Sequence, residues 1–226
     1  THARHPARLP RHLLRAAGPS GRHRLAIYSR GLAFSPPWER VAHVGESGLL
    51  LRFGTCIDME VNKRGIACLS AFDQASPLSG VQDMLPGYAS LLLHYDPLTV
   101  SSAEVEQWCT DVAAVQGGAG GGGEAGARVV TIPVHYGGEY GPDIEEAARI
   151  AGLGSAAEVA AMHAAGEYRV YFLGFTGGFP YLGGLHETLQ AVPRLQTPRQ
   201  AVPKGAVGIA AGQTGVYTIQ TPGGWH

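Results

Sequence analysis

Three cysteines in 226 residues, Cys56, Cys68 and Cys109, are too few, too scattered and of the wrong parity for a disulfide framework, and no C-x-x-C pair offers a zinc site. They read as buried or half-buried thiols. Long apolar runs are also missing. No stretch approaches the roughly 18 uncharged apolar residues of a membrane span, and a candidate such as Leu91–Leu93 is far too short. His94, His135, His163 and His186 show neither H-x-x-x-H nor H-x-H spacing, so no metal site is expected. There is no Gly-Lys-Ser/Thr to end a phosphate loop and no G-x-S-x-G elbow for a serine hydrolase. Lys63 and Lys204 do not sit between methionines, which removes biotin attachment.

Acidic residues are absent from one end. Residues 1–38 carry seven arginines and four histidines but no Asp, Glu or Lys, whereas the remainder holds all 18 acids against ten Lys and Arg. The formal net charge of −1 therefore hides an acidic body, which argues against a nucleic-acid partner. The basic stretch resembles an organellar transit peptide; a disordered tail or translated upstream region is the other reading, and both stay open. Localisation is accordingly cytoplasmic, or organellar if residues 1–38 are a transit peptide. An apolar share of 45% with only 15% charged residues supports a packed core.

From Arg40 the pattern is that of an α/β unit. Val41–Phe53 reads as a strand broken by a Gly45/Gly48 turn, and Ile57–Phe72 has helical spacing. Residues 81–96 read as two extended segments around Pro86-Gly87, and Ser101 with Glu104 forms a capping box that opens a second helix. With a further strand expected at Val129–Val134, the order is that of a split βαβ, ferredoxin-like domain over residues 39–116. Residues 117–127 are a Gly-rich linker. Beyond it lie two helical patterns, Asp143–Ala151 entered through Pro142 and Ala156–Ala165 capped by Ser155 with Glu158. The rest of residues 128–226 is short apolar runs cut by Gly and Pro, which predicts an antiparallel barrel or sandwich. The fold class is α+β.

Three stretches carry candidate chemistry. VHYGGEYGPD (134–143) sets Tyr136, Glu139 and Asp143 at a strand-to-helix junction where Gly137 and Gly138 permit close backbone approach; a plain turn with a capping acid is the reading that composition alone favours. In YRVYFLGFTGGFPYLGGL (168–185), Val170 and Phe172 alternate with Tyr171, Leu173 and Phe175, and the glycines then let the chain bend; a structural corner and an aromatic-lined site both remain open. PRLQTPRQAVPKGAVGIAAGQTGVYTIQTPGGW (193–225) offers Arg194 and Arg199 as carboxylate or carbonyl clamps, and Gln213 and Thr214 at a turn. Surface ion pairing is the alternative for the arginines.

These three stretches in this order, with VGESGLLLRFG and SGVQDMLPGYASLLLHYDP before them, resemble the family of the first allophanate hydrolase subunit from about Glu39 to the last residue. That family includes the B-type subunit of 5-oxoprolinase and the sporulation-kinase inhibitor, and it corresponds to carboxyltransferase subdomains C and D. The resemblance implies a ferredoxin-like N-terminal domain followed by a cyclophilin-like β-barrel. It also implies one subunit of an ATP-dependent 5-oxoprolinase, a hydrolase that opens the lactam of 5-oxo-L-proline to glutamate and is inactive as a lone subunit. The partners would be a companion carboxyltransferase-like subunit, the C-type component of 5-oxoprolinase, and a third lactam-processing subunit. ATP would act at the level of the complex, since no nucleotide motif occurs here. A histidine-kinase inhibitor, or the carboxyltransferase half of a biotin-dependent urea carboxylase, is the alternative.

Lactams, ureas and ureido rings are small planar amides whose oxygen gains charge on activation, and glycine-turn N–H groups with fixed polar side chains suit that oxygen. The resemblance therefore implies catalytic roles for Glu139, Arg199 and Gln213, with Glu139 as proton acceptor. Tyr136, Gly138, Phe175, Phe179, Tyr181, Arg194, Thr214 and Tyr217 are expected to bind substrate. The chain departs from the family pattern at Gly177, where proline is usual and a more flexible loop follows, and at Thr221, where serine is usual. It ends at His226 where the family continues with a further strand, which is expected to leave an open sheet edge.

Overall fold

The computed structural model describes residues 34–116 and 128–226. The linker at 117–127 and residues 1–33 of the presequence reading lie outside the described residues.

The first region is a four-stranded sheet under two helices. β1 (Arg40–Val44) and β2 (Gly48–Arg52) form the expected hairpin, turning at Gly45 with φ +63°. α1 (Met59–Gln74) begins where the Asp58 carboxylate accepts the N–H groups of Glu60 and Val61. β3 (Val81–Pro86) and β4 (Ser90–Tyr95) follow, and α2 (Ser102–Gln116) opens with the predicted capping box, Glu104 N–H donating to Ser101 Oγ and Ser101 N–H to Glu104 Oε2. The strand order is β1-β2-β4-β3, all neighbours antiparallel, so β4 lies between β2 and β3, the two strands that α1 joins. That is a split βαβ.

The strand expected at Val129–Val134 is not formed. β1 already occupies the outer side of β2, and Val129, Val130 and Ile132 are exposed at 86%, 59% and 55%. The core is built from alternation: Leu49, Leu51 and Phe53 on one strand face Leu91 and Leu93 on its neighbour, with Cys68, Phe72, Val105 and Cys109 from the helices above. Each such aliphatic or aromatic side chain contributes about 1.5–3 kcal/mol on burial. The expectation of buried thiols holds for Cys68 and Cys109, pushed up by burial to about 11 and about 12, whereas Cys56 is exposed.

The second region starts with residues 128–136, which are in neither helix nor strand, followed by a 3-10 turn at Gly138–Tyr140; another lies at Leu189–Ala191. α3 (Ile144–Ala151) ends at Gly152 with φ +71°, and α4 (Ala156–Ala164) begins at Ser155, which with Glu158 forms the expected cap. Six short strands follow: β5 (Arg169–Leu173), β6 (Pro180–Gly183), β7 (Arg199–Val202), β8 (Val207–Ala210), β9 (Gln213–Val216) and β10 (Thr221–Gly223). Among the described residues they make two antiparallel sheets, β5-β6-β9-β8 and β7-β10. The clean alternation expected in β5 is interrupted. A register shift between Val170 and Phe172 turns Tyr171 inward and leaves both Val170 and Leu173 exposed.

Candidate functional site

A cleft of about 590 Å³ lies where α3, α4 and the two small sheets meet, and Tyr136, Glu139, His163, Arg199 and Tyr217 are among its lining residues. Its floor is organised by an ion pair. The Asp143 carboxylate does not cap α3; it accepts a short hydrogen bond from the Arg199 guanidinium, which also donates to the Trp225 carbonyl (3.4 Å). Arg199 is thereby committed to tying the start of α3 to β7, rather than held free to clamp a carbonyl. Glu139 sits in the 3-10 turn, exposed to solvent.

From the cleft wall inward runs a polar chain that is half-buried at Tyr136 and buried at His163 and Thr214. The Tyr136 hydroxyl and His163 Nδ1 are 2.7 Å apart, His163 Nε2 and Thr214 Oγ1 are 2.9 Å apart, and Thr214 donates to the Gly208 carbonyl (3.0 Å). His163 lies on α4 one turn beyond buried Val159, so the core-facing stripe of the helix carries it inward. Burial pushes its pKa down from the ordinary 6.5 and pushes the Tyr136 phenol up. Tyr168 stacks on the imidazole at 5.0 Å and donates to the His163 carbonyl (2.7 Å); burial, reinforced by nearby Tyr136, lifts it to about 12.

The structure divides the residues singled out in the sequence. Tyr136, Glu139, Arg199 and Tyr217 meet at the cleft, Gly138 supports its turn with φ +58°, and Thr214 stands behind it through His163. Gln213 faces elsewhere: its side-chain oxygen accepts a short hydrogen bond from Tyr88, in the β3–β4 turn of the first region. Phe179 is core, 2% exposed and ringed by Tyr181, Tyr217 and Trp225 at 5.1–5.7 Å, so it does not wall an open site. Tyr181 is half-buried and stacks on Phe172. Phe175 is 61% exposed with φ +61°, away from the cleft lining, and Arg194 is exposed, within electrostatic reach of Tyr88 and Tyr217.

The loop carrying Phe175 is a defined turn. Phe179 N–H donates to the Thr176 carbonyl (3.0 Å) and Gly178 has φ +75°, the type II pattern, with Gly177 in the position that favours proline. His163, Tyr88 and Asn62 escaped the sequence reading. Asn62, 1% exposed on α1, donates to the carbonyls of Gly87 (3.1 Å), Tyr88 (3.2 Å) and Tyr171 (3.4 Å), stitching the two regions together. The signal for His163 was its spacing of four from Val159 on a short apolar helix.

The chain as a whole is similar to known proteins. Residues 39–226 match the family described as carboxyltransferase domain, subdomain C and D. The chain is 42% identical over 202 residues to the B-type subunit of 5-oxoprolinase from Bacillus subtilis (strain 168), an alignment covering 83% of this chain and 80% of the relative. It is similar to a crystal structure of TTHA0988 (TM-score 0.64, 40% identity), matching over 79% of its own length and 33% of that longer chain. It also shares its fold with part of Kluyveromyces lactis urea carboxylase (TM-score 0.61, 15% identity), covering 89% of this chain and 20% of that one.

Proposed function

We propose that this chain, which belongs to the carboxyltransferase domain, subdomain C and D family, is one subunit of an ATP-dependent 5-oxoprolinase that converts 5-oxo-L-proline, ATP and water to L-glutamate. The observation that carries the reading is the alignment with a B-type 5-oxoprolinase subunit over four fifths of both chains. The name of that relative implies other subunits. Here these are a companion carboxyltransferase-like subunit and a third lactam-processing subunit, which bring the ATP site. The finer fold assignment, a ferredoxin-like domain followed by a cyclophilin-like one, is part of the same reading; the split βαβ of the first region supports its first half.

In this reading the cleft at Tyr136 takes the lactam. Its largely apolar lining suits a small planar amide, and Gly137 of the Gly137-Gly138 turn forms part of that lining. Asp143 is bound to Arg199, so Glu139 is the acid assigned to accept a proton. Thr214 acts from behind, by holding His163, whereas Gln213 is engaged by Tyr88 away from the cleft. Among the described residues no helix is long and apolar enough to cross a membrane. The urea carboxylase alternative rests on likeness of fold alone.

The test is co-expression with the companion subunits and measurement of 5-oxoproline-dependent ATP hydrolysis. Turnover that disappears when this chain is left out supports the assignment, and a fully assembled complex without such turnover sinks it.

A further inference from the structure

The polar chain behind the cleft has a direction, set at its far end. The Gly208 carbonyl can only accept, so the Thr214 hydroxyl proton points to it (3.0 Å). With that proton engaged, Thr214 Oγ1 accepts from His163, which makes Nε2 the protonated ring nitrogen (2.9 Å). A neutral imidazole protonated at Nε2 is bare at Nδ1, and Nδ1 therefore accepts the Tyr136 hydroxyl proton (2.7 Å). Burial keeps the ring neutral near pH 7, and Thr214 is 0% exposed, so water does not compete for the two bonds it makes. Tyr136 has no proton left to offer. What it presents to the cleft, which it lines together with His163, is oxygen lone pairs.

We propose that His163 is a positioning residue that holds the Tyr136 hydroxyl as an acceptor-only group, so that the cleft selects ligands bringing an N–H, a lactam or carbamoyl nitrogen, over the matching lactone or ester. A ring oxygen in that place sets lone pair against lone pair and leaves the Tyr136 oxygen unpaired, which is the arrangement that gives a polar site its discrimination. The inference rests on reading the cleft as the amide site and narrows it to one atom of the ligand and one of the protein.

Two measurements test it. Nitrogen-15 NMR of the full chain labelled at histidine is expected to show His163 protonated at Nε2 and bare at Nδ1 at pH 7; the opposite tautomer or an imidazolium overturns the proposal. Calorimetric binding to the assembled complex compares 5-oxo-L-proline with its lactone isostere, in which oxygen replaces the ring N–H. The expected preference for the lactam is at least about tenfold. It is expected to fall towards unity in Tyr136→Phe, which deletes one oxygen, and in His163→Phe, which releases the tyrosine proton to donate. Thr214→Val, which frees the ring to change tautomer, is expected to give an intermediate ratio. A merely structural role for His163 changes both affinities together and leaves the ratio alone. Equal affinities in the wild type, binding of neither compound, or a preference that survives Tyr136→Phe overturns the inference. Failure of the 5-oxoprolinase reading shows separately as absent ATP turnover, and turnover without the preference keeps that reading while removing this one.

Discussion

The two regions of the molecule solve burial differently. In residues 39–116 nearly every buried side chain is apolar, Asn62 being the polar member of the buried set, and a two-residue alternation on adjacent strands fills one continuous core. In residues 128–226 the core is split into two smaller clusters, and His163, Gln213 and Thr214 are buried among them with their hydrogen bonds made. A dry sheet-and-helix layer supplies stability by area. A region of short strands and buried polar groups supplies geometry, because each hydrogen bond has one donor, one acceptor and one direction.

Truncation in the first region is expected to have the largest effect. Phe53→Ala removes a fully buried ring and is expected to cost about 3–5 kcal/mol, read as a lower denaturant midpoint; a loss under about 1 kcal/mol would mean that this core is not the main source of stability. Next comes the seam. Asn62→Ala strips the donors from three carbonyls and is expected to cost about 1–3 kcal/mol, with hydrogen exchange faster at residues 87–88 and 171. An unchanged exchange pattern would show that the amide does not hold the regions together.

A third effect separates the regions by pH. Since burial depresses His163, the unfolded chain takes up a proton as the pH falls through the ordinary histidine value of 6.5, while the folded chain does not. Stability is therefore expected to be fully present above about 6.5 and to fall as the pH drops towards the folded value, with a single-proton slope absent from His163→Phe. Equal slopes in both proteins would exclude a depressed His163. The smallest effect is a gain. Gly177→Pro suits the type II turn and is expected to raise stability by about 0.4–1 kcal/mol in thermal unfolding, because an added Cβ meets nothing within 4 Å.

The first region was legible because its signals are local. The Gly45/Gly48 turn, the helical spacing of Ile57–Phe72 and the Ser101–Glu104 cap each act within a few residues. The strand at Val129–Val134 was misplaced because an apolar β-branched run says nothing about whether a sheet edge is vacant, and β1 had filled the one it was meant for. The cleft was half legible. Tyr136, Glu139 and Arg199 flank glycine and proline turns that mark them, but Phe179 looks the same in sequence whether it walls a site or fills a core. His163 needed Tyr136 and Thr214 to acquire meaning, and those lie 27 and 51 residues away.

The β1–β2 hairpin bears on how the protein is made. Because the strands of the first sheet come from residues 40–95 and both covering helices are finished by 116, this region needs nothing synthesised later to close. Its sheet is therefore expected to pair while the second region is still being translated. Tyr88 and Asn62 then wait at its border as finished landing points, so that Tyr171 and Gln213 dock, as they emerge, against a surface already built.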